Sequence, residues 1–472
     1  MFYNVPLLHS GFYPHFCFRQ ISLIQKVFLI MASRDLWTSR LGFILASAGA
    51  AVGLGAIWKF PYMAGTNGGS AFILPYIAFS FTLGMFLLLA ELIVGRAGRG
   101  ASIMSMIRVG RAKFWGLFGF IGVLTGFLIL TFYSTVGGWC VAYAVDAMMG
   151  KGLITDLSQL GAYFGSFISN PTLGITYQIV FMLMTAGVVI FGVQKGIERL
   201  AKYLMPTLFI LMLVLIVRGL TLPGAWAGVE FMFSFNPEVF TTASLMNALG
   251  FTFFSLSVGA GTLIVYASYL RDEADLPRST AWIAFLGIVA ALLGGLMVMP
   301  PVFAFGLEPA AGPGLTFVTM PAVFAHMPLG QFFAVLFYVC LIVAALTSSV
   351  SIFEAVVSAM RDLKIERKTA TVLSFVSMMA IGVFCTMSFG PLADFKICGK
   401  TIFDLLDYLT SNVGMPLTAL GLAMIAAWVN WKETQRQLTM ANPMPQWLQT
   451  TIRFGIGVIS PIVIIAVVAN SL

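Results

Sequence analysis

Residues 48–62 read AGAAVGLGAIWKFPY, and the reading of this stretch decides the fold. It falls inside an apolar segment, about residues 40–62, long enough to cross a bilayer. Yet Gly49, Gly53 and Gly55 weaken a helix interior. Small residues at helical spacing let two membrane helices pack closely. Alternatively, the helix is interrupted here and presents bare backbone to a ligand. A backbone group left unsatisfied in hydrocarbon costs several kcal/mol, so a break is tolerated only where it is buried or lines a cavity.

The rest of the chain places this stretch in a membrane. Of 472 residues, 59% are hydrophobic and 9% are charged, with a mean hydropathy of +0.96. A soluble domain carries about 25% charge. Apolar runs at about 40–62, 70–95, 115–149, 173–192, 199–219, 241–270, 280–307, 331–360, 369–389, 401–430 and 447–470 predict eleven spans. The longest exceed a straight crossing and predict tilt, kinks or unwinding.

The net charge of +8 invites a nucleic-acid partner, but the positions of the charges exclude one. Arg96, Arg99, Arg108, Arg111 and Lys113 lie between the second and third spans, and Lys195, Arg199 and Lys202 between the fourth and fifth. Arg361, Lys364, Arg367 and Lys368 follow the eighth, whereas the alternate connections hold little more than Lys151, Arg218, Lys396 and Lys400. This asymmetry predicts a multi-pass plasma (inner) membrane protein with a cytoplasmic N-terminus. An odd number of spans puts the C-terminus outside. Cys17, Cys140, Cys340, Cys385 and Cys398 have no metal-ligand spacing, and His9, His15 and His326 are scattered. With no nucleophile–base set either, an enzyme is not expected. Residues 1–30 have apolar patches but no charged start or cleavage site of a secretory signal. Met31 then opens MASRDLWTSR, so residues 1–33 are expected to be an extension or a misassigned start.

A second stretch, Ser255-Leu256-Ser257-Val258-Gly259-Ala260-Gly261-Thr262, is rich in glycine and small polar residues. It lies in the sixth span, five after the first. A five-span repeat puts the two stretches in matching positions, and five being odd inverts the second copy. Interrupted helices in matching positions of two halves point to a transporter site near mid-membrane. The half-helix N-termini there offer N–H groups to an anion, and the freed carbonyls can meet a cation. The pair therefore favours the break over the packing seam.

These residues are recognisable. TSRLGFILASAGAAVGLGAIWKFPYMAGTNGGSAFILPY resembles the first two helices of the neurotransmitter:sodium symporter family, FTFFSLSVGAGTLIVYASYL its sixth and ALTSSVSIFE its eighth. The resemblance implies an all-α integral membrane protein of LeuT-type 5+5 inverted-repeat architecture, with broken helices 1 and 6. Residues 34–220 and 241–430 would form the repeats, and 447–470 an additional eleventh helix. It also implies sodium-coupled amino-acid import by alternating access, by a monomer or weak homodimer in a lipid bilayer.

Carried over position by position, the resemblance gives a sodium site from the carbonyls of Gly49, Val52 and Ala344 and the hydroxyls of Thr347 and Ser348. The substrate carboxylate would meet the N–H groups of Leu54 and Gly55 and the hydroxyl of Tyr133. The amino group would meet carbonyls of Ala51, Phe254 and Ser255, and Ile129, Phe254, Ser257, Ala260, Ser348 and Ile352 would line the side-chain pocket. Lys59 and Asp407, with Phe60, Tyr133 and Phe254 as an aromatic lid, would form an extracellular gate. Arg34, Asp362, Trp37, Ser268 and Tyr269 would form an intracellular one.

The departures from the family pattern are specific. Ala56 stands where an asparagine of a first sodium site is usual, and Gly287 or, slipped by one, Leu286 stands where a second oxygen-bearing side chain is expected. Phe251 and Ala291 replace polar residues of the chloride site, although Tyr76 and Ser255 remain. One Na+ per cycle, chloride independence and a neutral, hydrophobic or aromatic amino acid are therefore expected. A proton-coupled or exchange transporter, with Glu91 or Glu354 supporting the proton step, is the alternative in the same fold. A non-transporting amino-acid sensor is the alternative outside transport.

Overall fold

The computed structural model describes residues 36–235, 239–307 and 312–471. The expected extension at 1–33 and the gate residue Arg34 lie outside the described residues. Among these, nine helices are long and apolar enough to cross a membrane, or ten if the bent pair Arg40–Ala51 and Gly55–Thr66 is one span. The predicted sixth span is the eleventh segment, divided into Thr242–Ser255 and Thr262–Ser268, each too short to cross alone.

Local chemistry sets the helix starts. Ser39 caps the first helix by accepting from the Gly42 N–H at 3.0 Å. Asn170 caps the fourth span and Asp275 the seventh, and each cap is followed by an early proline that needs no N–H partner. Thr241 and Ser244 form a reciprocal capping box at the sixth.

The first span stops at Ala51 and resumes at Gly55, bent by 49°. Between the halves of the sixth, Ser257, Gly259 and Gly261 have φ of +52°, +88° and +74°. Gly259 is obligatory on two counts. Its φ is left-handed, and a Cβ there would lie 2.3 Å from the Met415 carbonyl oxygen.

The third span, Lys113–Met148, and the eighth, Gly330–Asp362, pack extensively against each other; the eighth is mostly buried, and the third is buried over Ile129–Ala144 but exposes Leu117, Phe120 and Leu124 near its start. At 36 residues the third is roughly 54 Å long. That exceeds a hydrocarbon core of about 30 Å, so it tilts or projects beyond it. Leu213 and Val217 of the fifth span, Val372 and Val376 of the ninth and Ile462 and Ile465 of the eleventh are exposed. An apolar outer face of this kind is what lipid tails solvate.

Candidate functional site

The two helix breaks touch each other and lie against the third and eighth spans. Where the first helix ends, its last carbonyls lose their intrahelical donors. The Ala50 carbonyl is met twice, by Ser257 Oγ at 2.9 Å and Ser348 Oγ at 2.8 Å. Beyond the break, at the N-terminus of the second half-helix, the Leu54 N–H donates to Tyr133 Oη at 3.1 Å. Gly53 allows this approach, because a Cβ there would lie 2.5 Å from Ser348 Oγ and 3.1 Å from Tyr133 Oη.

A cavity of about 40 Å³ lies between these groups. Its walls include Ala51, Gly55, Ile129, Tyr133, Phe254, Ser255, Ser257, Ala260, Ser348 and Ile352, and Leu54 adjoins it through Tyr133. Ala50, Gly53 and Met415 complete the wall. Met415 is in the tenth span, and no local motif around it signalled this position. Pockets for drug-sized ligands start at about 300 Å³. The site is therefore contracted, and a large side chain has to open it.

Thr347 Oγ1 donates to the Ala344 carbonyl at 3.0 Å, and Ser348 Oγ donates to Ala50. Both hydroxyls thus keep oxygen lone pairs for a cation, and Thr347 Cβ would lie 3.1 Å from a Cβ on Gly49. Gly49, Val52, Ala344, Thr347 and Ser348 supply only neutral oxygens, a set that fits a hard cation such as Na+. The first-site positions carry no side-chain oxygen. Ala56 is buried, and a Cβ on Gly287 would meet Leu256 Cδ2 at 3.5 Å and Ala51 Cβ at 3.8 Å. The neighbours of Gly287 at these distances are apolar. The Tyr76 hydroxyl lies next to Ser80 and Ser255, with no well-formed hydrogen bond among the described residues. The Phe251 ring packs 5.2 Å from that of Tyr76.

Toward one membrane face lie two further cavities, of about 90 and 210 Å³. Phe254 is part of the wall of all three. Lys59 Nζ stands 4.3 Å from the centroid of that ring, a cation–π contact. Lys59 and Asp407 share the 90 Å³ cavity, but no ion pair within 4.0 Å joins them among the described residues. Asp407 instead accepts from Ser411 one turn on at 3.1 Å. The expected gate contact is thus not made in this conformation, because the ammonium has gone to the ring. Phe60 also departs from expectation. It is fully buried against Phe72, Tyr76 and Phe251, one helical step round from Lys59 and away from the cavities. Of the two, only Phe254 borders the cavities.

At the other end, Trp37 donates through Nε1 to the Tyr266 carbonyl at 2.8 Å and through its backbone to Tyr269 at 3.1 Å. This ties the start of the first span to the end of the broken sixth. Ser268 Oγ donates to the Val265 carbonyl at 2.7 Å, and Asp362 accepts from the Ala101 N–H at 2.7 Å. Tyr269 Oη donates to Glu354 at 2.7 Å. Glu354 is fully buried and also takes a bidentate pair from Arg367, at 2.7 and 2.9 Å. Sequence reasoning left Arg367 among the loop cations. Only the fold brings it over Glu354, thirteen residues back and a helix away. Glu198 was also missed. It accepts from the Thr38 N–H at 2.8 Å and Ser39 Oγ at 3.0 Å, and pairs with Lys202 at 2.8 Å. Glu91 is buried beside the sixth-span break, and one oxygen accepts from the Gly259 N–H at 3.1 Å.

Two interrupted helices enclosing a pocket with a few convergent polar groups within an apolar bundle define a secondary transporter. The chain matches the Sodium:neurotransmitter symporter family over residues 34–153 and 168–472 and belongs to that family. It is 42% identical over 389 residues to the sodium-dependent transporter YhdH of Bacillus subtilis (strain 168), across 82% of this chain and 86% of the relative. A sodium-dependent transporter of Haemophilus influenzae is 35% identical over 418 residues, across 86% of this chain and 92% of its own length. Among solved structures, MhsT in complex with L-phenylalanine superimposes with a TM-score of 0.86 at 37% identity, covering 93% of this chain and all of MhsT. The fold is LeuT-type and the protein is a sodium-coupled transporter, not an enzyme.

Proposed function

We propose that this chain imports a neutral amino acid with a hydrophobic or aromatic side chain, with one Na+ per cycle and without chloride. The observation that carries the reading is the Leu54 N–H···Tyr133 contact, set in a pocket whose remaining walls are mostly hydrocarbon. The N–H groups of Leu54 and Gly55, with the Tyr133 hydroxyl, take the carboxylate. Carbonyls of Ala51, Phe254 and Ser255 take the ammonium, and Ile129, Ala260 and Ile352 surround the side chain. No acidic residue lines the cavity, so an amine without a carboxylate finds no counter-charge. That MhsT was solved in complex with L-phenylalanine supports the aromatic choice.

Na+ binds at Gly49, Val52, Ala344, Thr347 and Ser348, and the apolar surroundings of Ala56 and Gly287 support the single ion. The repeats run over 34–220 and 241–430, and the cation-rich connections face the cytoplasm of the plasma (inner) membrane. The protomer acts as a monomer or weak homodimer. The test is uptake of an amino-acid panel into proteoliposomes, with stoichiometry read from the membrane potential that just reverses flux. Two Na+ per substrate refutes the single-ion reading. Uptake that persists without sodium points to proton coupling or exchange, and binding without flux points to a sensor.

A further inference from the structure

A second buried polar network lies on the far side of the third span from the pocket. Gln178 of the fourth span is completely buried. Its amide nitrogen donates to Ser134 Oγ at 2.9 Å and is shared at 3.3 Å with Thr135 Oγ1 and the Thr131 carbonyl. Its amide oxygen accepts from Thr386 Oγ1 of the ninth span at 2.8 Å, and the Thr386 and Thr135 hydroxyls meet at 3.1 Å. The space is made for it, since a Cβ on Gly382 would lie 2.6 Å from Gln178 Nε2.

Residues 131, 134 and 135 form one stripe of a helix, at i, i+3 and i+4. Tyr133 lies between them in sequence and on the opposite face. One hydrogen bond would suffice to hold two membrane helices together. Here one amide grips three groups within a single turn, and that turn is the one carrying the Tyr133 hydroxyl to Leu54.

We propose that Gln178 is a positioning residue for substrate binding, fixing the rotation of the third span so that Tyr133 Oη stays at the Leu54 N–H. This rests on the assignment of Tyr133 to the substrate carboxylate. A tyrosine hydroxyl stands roughly 8 Å from its helix axis, so a rotation of about 10° carries it roughly 1.4 Å. That exceeds the tolerance of a hydrogen bond.

The test is a double-mutant cycle on the purified full chain, with equilibrium binding of L-phenylalanine in saturating Na+ as the readout. Tyr133→Phe and Gln178→Met are each expected to weaken binding about tenfold, and the double variant no more than about twofold beyond Tyr133→Phe alone. If Gln178→Met costs the same factor in both backgrounds, or costs nothing, the positioning role is overturned. If Gln178→Met cannot be recovered monodisperse, Ser134→Ala removes the shortest bond to the amide and is scored by the same cycle. Native binding that is absent, or unaffected by Tyr133→Phe, overturns the carboxylate assignment itself. Additivity with an effective Tyr133→Phe overturns only the role of Gln178.

Discussion

Gly53→Ala is the smallest change that reaches both halves of the site. The added Cβ would stand 2.5 Å from Ser348 Oγ and 3.1 Å from Tyr133 Oη. Ordinary contact begins at 3.4 Å, so the Ser348 oxygen must withdraw by about 0.9 Å or the backbone must yield. Ser348 has little freedom to give, because its hydroxyl is held on the Ala50 carbonyl at 2.8 Å. Overpacking of this kind costs about 1–3 kcal/mol, and the displaced hydrogen bond adds about 1 kcal/mol. Ser348 Oγ is a proposed sodium ligand, so roughly 2–3 kcal/mol of this falls on the bound state. Apparent Na+ affinity should drop about 30- to 150-fold. L-phenylalanine binding titrated with Na+ at constant ionic strength measures it. Gly187→Ala is the control, because a Cβ there meets nothing within 4 Å. A Gly53→Ala protein with native Na+ and substrate affinities refutes the close approach of the first span to Ser348 and Tyr133.

Three further outcomes are expected. Lys59→Met removes the ammonium from the Phe254 face, worth about 0.5–2 kcal/mol; bound substrate should dissociate several-fold faster in a filter-retention assay. Arg367→Met leaves Glu354 buried and unpaired, which costs about 3–5 kcal/mol; thermal unfolding in detergent should shift sharply down, and adding Glu354→Met should recover part of the shift. Replacing chloride by gluconate should leave initial uptake rates unchanged, because Phe251 and Ala291 offer an anion no hydrogen-bond donor.

Much of the fold was legible because bilayer thickness imposes span length, and the eleven runs fall on the observed helices to within a few residues. The two breaks were legible because glycine and serine in an apolar run have few other uses. Facing directions were not. A helix that is apolar all round carries no periodic sign of which side meets lipid, cavity or neighbour. Phe60 was therefore expected at the lid although it turns toward Phe72 and Tyr76, and Met415 gave no signal. Gln178 and the Glu354–Arg367 pair were hidden for a related reason. Their partners lie on other helices, and only the crossing of those helices brings them within reach.

Phe254 borders three volumes with a single ring, and on the proposed function this would couple selection to speed. Opening the inner chamber and closing the route outward would then be movements of the same side chain, so a cargo's bulk would decide how far the ring can return. A small amino acid would let it fall back against the chamber and commit the carrier to turn inward. An oversized one would prop it ajar and hold the carrier at the outward stage. Tight binding and fast passage then need not rank a series of amino acids in the same order.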